Sequence, residues 1–188
     1  VEMDQPENTS LMDSLSANFS GISNDFDTLK ITVKEDEWVE TAIKLKDQYG
    51  LSFFSWLSAV DWENDVSVGD PPKENIDPSF EILCCLSDIS DGNFVILSTT
   101  IDKANPTIPT LVNVFPGANW HEREAYEMFG ISFDGHPNLV KLYLPDGFEG
   151  NPLLKSYELL TREVKPWPGE VDVEPMPESD EDKKGNDK

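Results

Sequence analysis

The sequence predicts an α+β fold: a two-layer domain with a mixed β-sheet packed by helices, plus extended N- and C-terminal arms. Three observations lead there. Leu29, Ile31 and Val33 alternate with polar residues, as in a half-buried strand. Trp38, Ala42, Leu45 and Tyr49, joined by Val39 and Ile43, recur at helical spacing. Two apolar runs, Phe80 to Leu86 and Phe94 to Ile101, flank the hairpin signal Asp91-Gly92. Strand, helix, hairpin and then helices make an α+β order.

The elements follow in chain order. Residues 1–27 hold six acids and no lysine or arginine, and are read as an acidic tail. The folded domain is expected over residues 28–157. Asp36 is placed to cap the first helix and Gly50 to end it. Leu51 to Val60 is apolar but broken by serines, and fits either a helix or a buried strand. Asp61 to Pro78 reads as a polar loop with the breaker Gly69-Asp70-Pro71-Pro72. Pro106 and Pro109 open an expected helix through Leu111, Val112 and Phe115, which Pro116-Gly117 breaks. A further helix fits Trp120 to Phe129, stopped by Gly130. Residues 158–188 read as an extended acidic, Pro-rich arm. Its last part, 170–188, carries eight acids against three lysines. Trp167, Val171, Val173 and Met176 are spaced along it as in a strip laid on a neighbour.

Composition removes several function classes. A net charge of -23 repels nucleic-acid phosphates and anionic lipid headgroups, so no nucleic-acid partner is expected. The first residues, VEMDQPENTS, have neither the basic nor the apolar region of a secretory signal. No apolar stretch is long enough to span a bilayer, so membrane association is expected only through partners. Two adjacent cysteines, Cys84 and Cys85, with His121 and His136, offer no metal-ligand spacing, and the cysteines read as buried strand residues. No phosphate-binding glycine loop and no nucleophile elbow is present.

The densest ionisable cluster is His121-Glu122-Arg123-Glu124, followed by Tyr126 and Glu127. On a helix, Arg123 and Glu127 are i,i+4 neighbours and are expected to pair, while Glu122 and Glu124 point apart. Acid–base work by one glutamate would need a distant acid such as Asp61 or Asp146, giving a stand-alone carboxylate-dependent hydrolase as the weaker alternative. Charges and aromatics mixed this densely between Pro and Gly breaks also suit a protein interface.

The run Trp120-His121-Glu122-Arg123-Glu124-Ala125-Tyr126-Glu127-Met128-Phe129-Gly130-Ile131 resembles the W-x-E-R-E-x-Y-D-M-F-G-I signature of the C subunit (30-kilodalton-type) of proton-pumping NADH:quinone oxidoreductase, respiratory complex I. Phe133, Gly135-His136-Pro137 and Leu139 are similar to its F-x-G-H-P-x-L. Leu144-Pro145-Asp146, Phe148-Glu149-Gly150, Pro152-Leu153, Lys155 and Tyr157 are similar to its L-P-D-x-x-E-G-H-P-L-R-K-D-Y. The chain departs from the pattern at Val140 and Lys141, at Asn151, and at Leu154 and Ser156.

The resemblance implies an α+β subunit of the hydrophilic arm with no catalytic residue and no bound cofactor or metal, its role being docking and rigidity. FMN, Fe–S clusters and quinone then belong to partner subunits, chiefly the quinone-pocket (D-type) subunit as neighbour. The expected place is the cytoplasmic face of the cell membrane, or the matrix side in an organelle. Trp120, Glu122, Arg123, Glu124, Tyr126, Phe129, Gly130, His136, Pro137, Glu149, Pro152, Lys155, Tyr157 and Trp167 are the expected partner-interface residues. The same family occurs in membrane-bound hydrogenases and F420-type dehydrogenases, and an equivalent subunit of such a machine is the main alternative.

Overall fold

The computed structural model describes residues 7–63 and 78–158; the expected loop at 61–78 lies largely outside them, and Trp167 wholly so. The elements run α1 (Glu7–Ser16), β1 (Ile22–Asp25), β2 (Thr28–Val33), a 3-10 turn (Glu35–Glu37), α2 (Trp38–Tyr49), β3 (Phe53–Asp61), β4 (Ser79–Ser87), β5 (Phe94–Asp102), β6 (Thr107–Pro109), α3 (Ala118–Phe129) and β7 (Ser132–Asp134). Five strands form one sheet in the order β1-β2-β5-β4-β3. Only β2 and β5 are parallel; the other three pairings are antiparallel, so the sheet is mixed. The expected α+β class holds.

Strand register sorts the side chains into two faces. Leu29 and Ile31, Val95 and Leu97, Ile82 and Cys84, and Leu57 and Ala59 share the face on which the buried core lies. Trp38, Ala42 and Leu45 bring one stripe of α2 to that core, and Ala118, Ala125 and Phe129 bring one stripe of α3. Ile43, placed on the same stripe by spacing, is exposed. The opposite face carries Glu81, which accepts bonds from Lys30, from Ser98 Oγ at 2.7 Å and from Trp62 Nε1 at 3.0 Å. Cys84 and Cys85 are buried and reduced, and as strand neighbours they point to opposite faces.

Three expectations need correction. Residues 1–27 are not simply a solvated tail. Leu15 of α1 is fully buried, Phe19 packs tilted against Tyr49 with ring centroids 6.0 Å apart, and β1 pairs with β2. Few apolar residues suffice here because α1 adds only one edge to an existing core. Asp36 does not cap α2; it sits inside the 3-10 turn, and the Glu37 carboxylate instead meets the Lys34 N–H at 3.5 Å. No helix runs through Leu111 and Phe115. Thr107–Pro109 pairs in parallel with β7, and Leu111 then closes a turn by accepting the N–H groups of Val114 at 2.9 Å and Phe115 at 2.8 Å. A first helical turn would tolerate the missing donors of Pro106 and Pro109 equally well, so the prolines do not choose between the two; the parallel pairing with β7 does. The expected hairpin at Asp91-Gly92 does form, joining β4 to β5. Ser87 is the last partner of Phe94, and Gly92 (φ 74) donates back to Asp88 O at 3.0 Å.

The ambiguous run resolves as β3. Its serines recur every third residue, and the strand accommodates them through an irregularity between Phe54 and Trp56, where Ser55 Oγ lies 2.7 Å from Ser87 Oγ. Gly50 (φ 73) ends α2 as expected, with Leu51 N–H donating to Leu45 O at 3.1 Å.

Leu15 decides whether α1 belongs to the cooperative unit. Leu15→Ala is expected to lower the unfolding free energy by about 2–4 kcal/mol in urea titration of the full chain. A silent substitution would return residues 7–27 to the status of a tail.

Candidate functional site

Helix α3 carries the signature cluster, and its polar side chains are turned to three separate tasks. Glu122 is completely buried. Its carboxylate accepts from the Thr110 hydroxyl and, at 2.7 Å, from the Leu111 N–H, so it fastens the segment after β6 to the helix. His136 has a fully buried side chain whose Nε2 lies 4.0 Å from Glu122 Oε2. The His136 Nδ1 accepts the Asn138 N–H at 3.0 Å, which puts the ring proton on Nε2, toward Asn119 O at 3.2 Å. Burial pushes the Glu122 carboxyl up to about 7, against the opposing pull of its bonds to Thr110 and Leu111.

Arg123 and Glu127 do not form the expected i,i+4 pair. Each is claimed by the backbone of the segment 140–144. Arg123 donates from Nε to Val140 O at 2.9 Å and from Nη2 to Lys141 O at 3.0 Å. Glu127, only 2% exposed, accepts three successive backbone N–H groups, from Leu142 at 2.9 Å, Tyr143 at 3.1 Å and Leu144. Burial alone would raise its pKa; the amides of Leu142, Leu144 and Tyr143, with Lys141 nearby, outweigh that and hold it below the usual range. A guanidinium offered two carbonyls and a carboxylate offered three amides each gain more charge-assisted bonds than the pair alone would supply.

Glu124 accepts the Tyr143 hydroxyl at 2.8 Å, tightening the same segment. Gly130 (φ 77) ends the helix, and Asn151 closes over it, donating to Glu127 O at 2.9 Å. A Cβ at position 130 would meet Asn151 Oδ1 at 3.1 Å.

The expected interface residues therefore divide. Glu122, His136 and Phe129 are internal residues: the first two spend their hydrogen-bonding capacity inside the chain, and Phe129 packs edge-on against Phe80 at 6.2 Å. Tyr126 is half-buried, and Tyr157 stacks on Phe148 at 6.1 Å. Lys155 is exposed, with its N–H on Asp61 Oδ2 at 3.0 Å and its Nζ 5.9 Å from the Trp62 ring. Pro137 and Glu149 are exposed and Pro152 is half-buried. Trp120 is 64% exposed, with the Arg123 guanidinium 5.9 Å from its ring. Thr110 and Tyr143 take part in the same constellation and were not singled out by sequence, while Asn151 stood out there only as a departure from the family pattern. Glu127 was readable in part: a carboxylate near a helix C-terminus opposes the helix dipole and requires donors from outside the helix.

Chemically, the constellation fastens loops. Asp61, the distant acid of the hydrolase alternative, is buried and held by Lys103 Nζ at 2.7 Å and 2.8 Å and by the Lys155 amide. Glu122 has no exposed surface through which a substrate could reach it. A cavity of about 220 Å³, lined by residues including Gly21, Thr41 and Lys44, shares no residue with α3. Among the described residues no cluster of His, Cys, Asp or Glu is arranged to hold a metal ion. No helix among them is long and apolar enough to cross a membrane.

The family model for "Respiratory-chain NADH dehydrogenase, 30 Kd subunit" matches residues 31–163. The C subunit of NADH-quinone oxidoreductase from Roseiflexus sp. (strain RS-1) is 35% identical over 138 residues, which is 72% of this chain and 73% of that protein. The C/D subunit of NADH-quinone oxidoreductase from Yersinia pestis (strain Pestoides F) is 37% identical over 91 residues, 48% of this chain but 15% of the longer protein. Among solved structures, the trypsin-resistant fragment (1-134) of Nqo5 is similar with a TM-score of 0.57 and 22% identity, covering 70% of this chain and 97% of the fragment. A chain of the membrane-bound sulfane sulfur reductase, an archaeal respiratory membrane complex, gives a TM-score of 0.62 at 17% identity, covering 82% and 87%. The two structural likenesses establish the fold.

The Glu122 pKa has a measurable consequence. Unfolded, a glutamate loses its proton near pH 4.5; folded, Glu122 loses it near 7. Between those values folding takes up a proton, so stability falls as pH rises through the window and levels off above it. The whole shift corresponds to about 3 kcal/mol. Glu122→Gln keeps an oxygen for Leu111 but cannot titrate. The difference in unfolding free energy between native chain and variant is expected to change by that order between pH 5 and 7.5. A constant difference across the window would contradict a buried, protonatable Glu122.

Proposed function

The chain belongs to the family of the 30 kDa subunit of respiratory-chain NADH dehydrogenase, the C subunit of NADH-quinone oxidoreductase, and on that premise we propose that it serves its complex as a docking subunit that itself carries no electrons. In this reading the FMN, the Fe–S clusters and the quinone reside in other subunits. Its nearest neighbour is the D-type subunit, and it meets the membrane only through the assembly, on the cytoplasmic face or the matrix-side equivalent. The acidic, Pro-rich arm expected over residues 158–188 lies, beyond residue 158, outside the described residues.

One observation carries the reading. The charged groups of α3 are committed to the chain's own loops, at 110–111 and 140–144, while the large aromatic Trp120 on the same helix faces outward. A helix stiffened from behind, with an exposed aromatic in front, is the arrangement of a preorganised protein-binding surface. The C/D protein of Yersinia pestis supports the choice of neighbour, because its name joins both subunits in one chain.

A second reading, the equivalent subunit of a related membrane-bound respiratory machine, is favoured by the likeness to the sulfane sulfur reductase chain. The partners recovered from solubilised membranes separate the two, since flavin-binding subunits select the first.

Trp120→Ala tests the interface. The isolated chain is expected to melt within about 3 °C of the native one, because the side chain is largely exposed and its contact with the Arg123 guanidinium is worth about 0.5–1 kcal/mol at such a site. Assembled complex recovered on native gels is expected to fall by about 30-fold in affinity terms, the loss of one central aromatic anchor of about 2 kcal/mol. Undiminished assembly would remove α3 from the interface, and absence of the native chain from any membrane complex would refute the docking role itself.

A further inference from the structure

The hairpin joining β1 to β2 presents an anomaly at its tip. Asp25 pairs with Thr28, so the loop is the two residues Phe26 and Asp27. Both have positive φ, 54 for Phe26 and 58 for Asp27. That is the type I′ turn whose twist suits a tight hairpin, and it selects Asn, Asp or Gly. Asp27 conforms. Phe26 does not: a bulky side chain at positive φ is a backbone outlier. It is the only aromatic among the positive-φ positions of the described residues, and it is 101% exposed, more open than any other large apolar residue described. Exposure alone is ordinary for a single apolar side chain. Exposure and left-handed strain together are not, because the fold gains nothing from either.

We propose that Phe26 is an anchor that inserts into an apolar pocket with a cationic rim on a neighbouring subunit of the same complex. The inference rests on the docking role above and adds a second contact, on a different element from α3. The rim chemistry follows from the flanks: Asp25 and Asp27 stand on either side of Phe26, and no lysine or arginine lies within residues 1–27. Two carboxylates beside the ring match Lys or Arg at the mouth of the pocket, where they add to association rate and register. The same carboxylates, in a chain of net charge -23, argue against insertion into an anionic lipid surface. Rigidity makes the tip effective. A two-residue turn fixes the ring's direction, so little conformational freedom is lost on binding. Strain kept at a contact point, where a relaxed residue would serve the fold better, is what a functional constraint leaves behind.

The test uses the full-length chain in place of the native copy in its own cells. Phe26→Asn supplies a residue suited to positive φ. It is expected to raise the melting temperature of the isolated chain by about 2–4 °C while lowering the amount of chain retained in the solubilised complex at least tenfold. Phe26→Trp is expected to keep assembly, since it preserves a large aromatic. Ile89→Asn, at another exposed apolar position (77%), is expected to change neither quantity. A photo-crosslinking phenylalanine at position 26 is expected to join one protein subunit of the complex. Normal assembly of Phe26→Asn, or crosslinks only to lipid, overturns the anchor and leaves the docking role standing. A native chain found in no complex overturns both.

Discussion

Glu127 is the residue on which the arrangement around α3 depends. Its carboxylate is nearly out of water, near the helix end where the dipole disfavours negative charge, so burial and helix field both work against it. Three consecutive backbone N–H groups, from Leu142, Tyr143 and Leu144, reverse that balance. In return, a stretch with no regular secondary structure gains one fixed conformation. Arg123 holds the two carbonyls just before it and Glu124 the tyrosine hydroxyl within it. Positive and negative side chains on one helix thus address the two polarities of one backbone segment.

The same helix reaches the other way through Glu122, which binds Thr110 and Leu111. Two irregular segments, separated in sequence by the helix itself, are therefore fastened to it from opposite sides. The apolar face of α3 meets the sheet through Phe129 and Ala125. Cutting any one of these ties would loosen loops and spare the sheet, which is built independently from the register of β2, β5, β4 and β3. This division explains why a helix so rich in ionisable groups need not be a catalytic centre: its charges substitute for secondary structure.

Much of the fold could be read from sequence because the elements that matter have strong periodicity. The alternation at Leu29–Val33, the stripe Trp38–Tyr49 and the two apolar runs 80–86 and 94–101 all became the expected elements. What escaped had weak or misleading local signals. The two prolines at 106 and 109 looked like a helix start, and only long-range pairing with β7 makes them a strand. The acid-rich N-terminus looked like a tail because its two decisive apolar residues, Leu15 and Phe19, are too few to set a pattern. At the site, spacing placed Arg123 beside Glu127 correctly, yet each found better partners 15 to 18 residues away. Helical geometry says which side chains are neighbours; it does not say what else competes for them.

Hydrogen exchange at the amides of Leu142, Tyr143 and Leu144 tests the central claim most directly. If the Glu127 carboxylate holds this segment, those three amides in the native chain exchange at rates comparable to α3 itself, despite lying outside any helix or strand. In Glu127→Gln they exchange far faster, while the amides of β4 and β5 keep their protection. Rapid exchange of the three amides in the native chain, or equal loss of protection across the sheet in the variant, would contradict the account.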